Sequence, residues 1–334
     1  MKEAIVDAGP KVTIIDSEVP KPKDDQVVIK VAVSGSNPKD WKAPEWIPDK
    51  IINQGDDIAG VVHEVGANVT EFKPGDRVMA FHEMMTPGGS YAEYAVAWAY
   101  TTAHIPKNVS FEEAAAIPLA ALTAACGLNT KLGLPAPWQP ATEPTPLVVY
   151  GAASAVGIYA VQLAAKANIH PLICVAGNSQ DHVRKFLDPS KGDAVIDYRD
   201  GDDAVVEGIK KAAKGAKLLH AYDAVSEKNS YVNLGKALAD GAKITTVLPH
   251  TKDEDVRSGV SIHRTAVSAV HNDEKDLGFV YMRYFARGMQ DGWFKAQPQV
   301  VVPGGLNGIQ KGLDNLKAGK ANGIKYVFRI SDEK

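Results

Sequence analysis

The stretch Val148–Ala164, VVYGAASAVGIYAVQLA, decides the reading of the chain. Its β-branched opening reads as a buried strand, Gly151-Ala152-Ala153-Ser154-Ala155-Val156-Gly157 as a turn of small residues, and the remainder as a helix from about Ser154 to Asn168. Small residues let the backbone approach a pyrophosphate, and a helix N-terminus offers unpaired N–H groups and positive partial charge to the anion. The turn departs from GxGxxG, with Ser154 at its middle position, where a hydroxyl can donate to a phosphate oxygen. A Gly/Ala string alone equally suits an ordinary strand-to-helix turn, and the strands and helices next to it in the chain tip the balance. LVVYG, HPLICVAG, DAVIDY, LLHAYDAV and KITTVL alternate with helical patterns near Gln180 to Leu187, Ala204 to Lys214 and Leu234. That alternation predicts an α/β fold with a parallel, doubly wound sheet and right-handed crossovers.

The first third of the chain is of another kind. QVVIKVAVSG (Gln26–Gly35), DIAGVVHEVG (Asp57–Gly66), EFKPGDRVMAF, SYAEYAVA and TTAHIP read as strands with short turns, and MKEAIVDAGPKVTI as a first strand. FEEAAAIPLAALTAACGL (Phe111–Leu128) reads as one helix capped by Ser110 and kinked at Pro118. The five prolines of GLPAPWQPATEPTP (Gly133–Pro146) make that stretch a surface loop. Two helical patterns, EKDLGFVYMRYFARGMQDG and LNGIQKGLDNLKAG, and a last strand, KYVFRI, close the chain, and no internal repeat is visible.

With 334 residues, 45% of them hydrophobic, two domains are expected. A net charge of −3, with both signs interspersed, offers no basic surface for nucleic acid. The amino-terminal stretch lacks a signal-peptide pattern and no apolar run approaches the ~20 residues that cross a bilayer, so a cytoplasmic protein is expected. Two cysteines, Cys126 and Cys174, sit in apolar stretches as small hydrophobes; they exclude a disulfide framework and a four-cysteine zinc site.

About twenty residues beyond the phosphate loop, a carboxylate would bind the ribose 2′-hydroxyl of NAD. Here the strand HPLICVAG ends in Gly177-Asn178-Ser179, with Arg184 and Lys185 following, which points to a 2′-phosphate and so to NADPH. Asn178, Ser179 and Lys185 are the candidates; Asp181 is read as an acid in a helix's first turn. Leu248 and Pro249, after KITTVL, are expected over the nicotinamide, since dinucleotides bind outside the carboxyl ends of parallel strands.

Several segments together resemble the medium-chain dehydrogenase/reductase superfamily, in its quinone oxidoreductase branch: SNPKDWK (Ser36–Lys42), GDDIAGVVHEVG, KPGDRV, GGSYAEY, IPLAALTA and YGAASAVGIYAVQLA. The proline loop with SNPKDWK is similar to fungal members related to trans-acting enoyl reductases. The resemblance covers nearly the whole chain. It implies a GroES-like β-rich catalytic domain from residues 1–119 and 273–334, and a Rossmann NADP-binding domain from 120–272, with nicotinamide and substrate in the cleft between them. It also implies nicotinamide-side contact by Thr123, 2′-phosphate contact by Tyr198, and reach toward the cofactor by Asn322 and Lys325.

Where the superfamily's zinc-dependent branch has Gly-His-Glu, this chain has Gly55-Asp56-Asp57, and where that branch has a cysteine it has Asn37-Pro38. No metal is therefore expected, and His63 is read as a structural or surface histidine. Without a metal, hydrogen bonds or cations must polarise the carbonyl, which disfavours alcohol oxidation, and the resemblance to the metal-free branch implies hydride delivery to an activated double bond or a quinone. Asn37 is the first candidate to position nicotinamide or substrate, Lys42 a charge donor and Asp40 a residue that orients its neighbours. The expected activity is NADPH-dependent reduction of the C=C of an enone, enal or enoyl thioester, either free or carrier-tethered. Quinone reduction is the alternative within the class, and a non-catalytic NADPH-binding protein the alternative outside it. Monomer and homodimer both stay open.

Overall fold

A computed structural model describes residues 1–331 and divides the chain into two compact units, Met1–Leu122 with the stretch from Ser268 onward, and Thr123–Val267. The chain opens with β1 (Lys2–Asp7) and β2 (Lys11–Asp16), an antiparallel hairpin rather than the single strand expected. The Gly9-Pro10 dipeptide inside that segment makes the turn, with Gly9 at φ +129°. Then come β3 (Gln26–Gly35), α1 (Lys39–Trp46), β4 (Asp57–Val65), β5 (Arg77–Phe81), β6 (Tyr94–Trp98) and β7 (Thr102–His104). The expected kinked helix is two helices, α2 (Phe111–Ala115) and α3 (Pro118–Ala125). Pro118 has no N–H to continue the first helix but suits the start of the second. Ser110 and Glu113 form a reciprocal capping box on α2.

The second unit begins within α3 and supplies β8 (Leu147–Tyr150), α4 (Ala155–Lys166), β9 (Leu172–Ala176), α5 (Gln180–Arg184), β10 (Ala194–Asp197), α6 (Asp202–Ala212), β11 (His220–Asp223), α7 (Ser230–Ala237), β12 (Ala242–Thr246) and β13 (Val260–Arg264). The chain then returns to the first unit with α8 (Lys275–Asp291), β14 (Gln299–Val301), α9 (Ile309–Lys317) and β15 (Lys325–Arg329).

In the second unit six parallel strands lie in the order β10-β9-β8-β11-β12-β13. Successive strands are added outward from β8 on one side and from β11 on the other, so the boundary between these two is the switch point at whose carboxyl ends doubly wound folds hold their ligands. Val148, Ile173, Val175, Ala221 and Ile244 form the buried sheet side of a core completed by Val205, Ile209 and Leu234 from the helices. In the first unit a seven-stranded sheet runs β14-β15-β3-β4-β5-β7, with β6 also paired to β3. Register there is decisive: Gly35 of β3 pairs with Asp57 of β4 on one side and Val327 of β15 on the other. The loop after Gly35 is thereby carried between the first residues of two neighbouring strands, Asp57 and Lys325.

Candidate functional site

The first unit buries a polar cluster. Asp57 is inaccessible; its Oδ1 accepts from Leu119 N at 2.7 Å, and its Oδ2 accepts from Asn37 Nδ2 at 2.8 Å and Lys325 Nζ at 2.6 Å. Lys325 Nζ also donates to Asn37 Oδ1 at 2.9 Å. The Asn37 carboxamide is thus held at both ends, oxygen toward an ammonium and nitrogen toward a carboxylate. The opposite orientation would set donor against donor, so one Nδ2 hydrogen is left at a fixed place.

Beside it, Asp40 Oδ2 accepts from Asn37 N at 2.7 Å and from the Tyr91 hydroxyl at 2.6 Å. Lys39 bridges Asp40 Oδ1, at 3.2 Å, and Asp56, and donates to the Gln54 carbonyl at 2.6 Å. Burial lifts the Asp40 carboxyl to about 6, although Lys39 pulls it the other way. Burial likewise raises Asp56 above the usual carboxylate range. For Lys39 burial works against the charge, but Asp56 and Asp40 outweigh it and the ammonium sits above the ordinary lysine value. Asp40 is buried, and its carboxylate touches the Asn37 backbone, the Tyr91 hydroxyl and the Lys39 ammonium. Lys42 is half-buried on α1 with its ammonium 5.4 Å from the Trp41 ring centre. Asn322 is exposed, and Lys325 is committed to Asp57 and Asn37.

Sequence reading passed over Lys39, Asp56, Asp57 and Tyr91. The consecutive acids of Gly55-Asp56-Asp57 inside an apolar strand pattern were the available signal, because buried carboxylates need partners. His63 is exposed, with its ring edge-on to Tyr94 at 4.8 Å. Among the described residues no group of three or more His, Cys, Asp or Glu side chains is placed to hold a metal ion.

In the second unit Gly151, at φ +73°, turns the chain out of β8, and a Cβ there would meet Val225 Cγ2 at 2.5 Å. A Cβ on Gly157 would lie 2.2 Å from the Gly151 carbonyl oxygen. The loop is therefore closed down on itself, with no room for a side chain at either glycine. Ser154 is the N-cap of α4, its Oγ accepting from Gly157 N at 3.0 Å, which leaves the hydroxyl hydrogen for a ligand oxygen. The N–H groups of Ala155 and Val156 belong to the first turn, which no internal helix bond satisfies.

At the end of β9, Asn178 is exposed and Ser179 half-buried at the N-cap of α5. Tyr198, 49% exposed, lies across Gly177, where a Cβ would meet its ring at 2.6 Å. Arg199, which sequence reading missed, donates to Asn178 Oδ1 and, through Nε at 2.8 Å, to Asp197. The Arg199 hydrogen bonds hold the Asp197 carboxyl well below the usual range. Lys185 is exposed, and Arg184 is engaged by Asp181, which stands in the first turn of α5 as expected. Thr123 is buried near the end of α3, and its carbonyl accepts from the Tyr222 hydroxyl at 2.8 Å. Leu248 and Pro249 lie just past the end of β12. Cys126 and Cys174 are free and buried.

The alcohol dehydrogenase GroES-like domain matches residues 23–107. The chain is 54% identical over 312 residues to "Trans-enoyl reductase fsr4" of Gibberella fujikuroi, covering 92% of each chain. It belongs to the trans-enoyl reductase family. A second relative in that family, "Trans-enoyl reductase resD" of Aspergillus sclerotiorum, is 31% identical over 98% of this chain and 100% of its own length. The fold is that of the Pseudomonas syringae quinone oxidoreductase, with a TM-score of 0.76 at 21% identity over 98% and 99% of the two chains. Within the described residues of this trans-enoyl reductase family member, no helix is long and apolar enough to cross a membrane.

Proposed function

We propose that the protein is an NADPH-dependent reductase that saturates the C=C of an α,β-unsaturated carbonyl, with an enoyl thioester as its substrate, free or tethered to a carrier. The observation that carries this reading is the 54% identity, across 92% of both chains, to a protein called a trans-enoyl reductase. The closed loop Gly151–Gly157 at the head of a 12-residue helix supports a dinucleotide in the second unit. Bound reduced nicotinamide would supply the hydride.

Preference for NADPH is supported by the tip of β9, where Gly177-Asn178-Ser179 presents no carboxylate to a ribose 2′-hydroxyl and Arg199 reaches Asn178. Ser179, Lys185, Tyr198 and Arg199 are the groups assigned to the 2′-phosphate, with Asn178 orienting Arg199. In the first unit, hydride arrival at the substrate β-carbon would leave an enolate whose oxygen needs a donor fixed in advance. The remaining Asn37 Nδ2 hydrogen is assigned to that place, with Asp57 and Lys325 holding the carboxamide and Asp40 holding the Asn37 backbone. Lys42, on the same helix as Asp40, is assigned a supporting positive charge.

The test is to incubate purified protein with NADPH carrying deuterium at the transferable position. The panel comprises an enoyl pantetheine thioester, the same acyl chain on a carrier protein, a simple enone and a quinone. The expected result is a saturated thioester labelled at its β-carbon. NADPH oxidation by the quinone alone, or by none of the four, would overturn the reading.

A further inference from the structure

Three strand ends at the switch point of the second unit are tied together by two side chains and one backbone bond. Asp223, inaccessible at the end of β11, accepts through Oδ1 from Val225 N and Ser226 N, both at 2.9 Å, and through Oδ2 from Ser230 Oγ at 2.6 Å. It winds the chain after β11 into a tight turn in which Ser226 stands at φ +60°, a left-handed conformation a non-glycine residue adopts at some cost. The Ser226 hydroxyl closes the turn by donating to the Asp223 carbonyl at 3.0 Å, and it accepts from Val247 N, the first residue after β12, at 2.8 Å. On the other side Ala224 N donates to the Tyr150 carbonyl at the end of β8 at 3.0 Å, and Val225 fills the space beside Gly151.

A serine buried at 4% exposure in a conformation that favours glycine needs a reason, and the backbone bond it makes to the next strand supplies one. We infer that Ser226, set in place by Asp223, is a positioning residue that fixes the segment Val247–Pro249 where it meets the nicotinamide half of the cofactor. The inference rests on the proposed NADPH binding and adds to it residues that touch no ligand themselves. The Val247 side chain has no hydrogen-bonding group to set its own backbone, so the Ser226 hydroxyl is the link between the turn after β11 and that segment.

Ser226→Gly tests the link, because glycine adopts φ +60° freely while the hydroxymethyl group goes, and with it the bonds to Val247 N and the Asp223 carbonyl. Two ligands are titrated into the wild type and the variant: NADPH, and adenosine 2′,5′-bisphosphate, which lacks the nicotinamide half. Loss of one backbone tie predicts a rise of roughly five- to tenfold in Kd and KM for NADPH. The bisphosphate affinity stays as in the wild type. Asp223→Asn, which keeps one acceptor oxygen for the turn, shifts NADPH in the same direction by a smaller factor. Unchanged NADPH affinity in Ser226→Gly would overturn the inference, and so would equal weakening of both ligands, which marks a purely structural role. A wild type that binds neither ligand overturns the cofactor reading and this inference with it.

Discussion

Lys325 Nζ and Asp57 Oδ2 lie 2.6 Å apart with side chains 2% and 0% exposed, an ion pair that joins the first residues of two strands 268 positions apart in the chain. Removing either partner leaves the other charge buried. Asp57→Ala is expected to cost about 3–5 kcal/mol of stability, because a lone buried ammonium remains. In a double-mutant cycle with Lys325→Met, the second substitution should restore part of that loss. Urea unfolding of the four proteins checks this; strict additivity would contradict it.

The pair also governs Asn37. Lys325→Met leaves the carboxamide oxygen without its donor, so only the Nδ2 bond to Asp57 still holds the group. kcat for the enoyl substrate should fall by roughly tenfold or more, with KM for NADPH within about threefold of the wild type. Steady-state kinetics with each substrate varied in turn separates the two. A change confined to KM for NADPH would instead make Lys325 a cofactor contact.

Asp40 predicts a pH dependence. Its carboxyl titrates near 6 in the folded chain, above the ordinary 3.8, so between those values the native state holds a proton that the unfolded state has released. Its contribution to stability is therefore complete at low pH and is lost as the pH rises through about 6. In Asp40→Asn that dependence disappears, and the stability of the variant relative to wild type should improve from about pH 4.5 to about pH 7. Chemical denaturation at both pH values reads it directly; a relative stability that falls with pH would reverse the sign and refute the prediction. Asp223, raised to about 6 by burial, adds a second slope of the same sign that both proteins share.

The features legible in the sequence were local ones. The turn Gly151–Gly157 carries its glycines, its capping serine and its strand and helix within the single stretch Val148–Ala164, and the parallel order of the strands comes from their alternation with helices. Asn37 and Asp40 were singled out by the likeness of the segment Ser36–Lys42 to the superfamily, while their local pattern reads equally as a turn. Lys39, Asp56, Asp57 and the true partner of Lys325 were not, because their meaning lies in pairings across a sheet whose register no local pattern encodes; the Lys325–Asn37 bond spans 288 positions. Strand β13 escaped for a different reason. Val260–Arg264 is an edge strand without a single fully buried residue, so it shows no apolar run. Ser226 left no trace at all, since its left-handed conformation is imposed by Asp223 and not by its own type.

The phosphate loop predicts a severe response to one methyl group. A Cβ at Gly157 would stand 2.2 Å from a backbone oxygen, and only movement of the loop can relieve it. Gly157→Ala is expected to cost about 1–3 kcal/mol in stability and to weaken NADPH by at least roughly tenfold, despite the better helix propensity of alanine. Thermal melts and a cofactor titration check both parts.

A parallel fluorescence titration of the purified protein with NADPH and NADH, repeated on Arg199→Ala, tests the cofactor assignment on which the reductase reading depends. The wild type is expected to bind NADPH more tightly, and losing one charged contact to the 2′-phosphate should weaken NADPH by roughly tenfold while leaving NADH unchanged. Equal affinity for the two cofactors would contradict the NADPH assignment, and no binding of either would contradict the reductase.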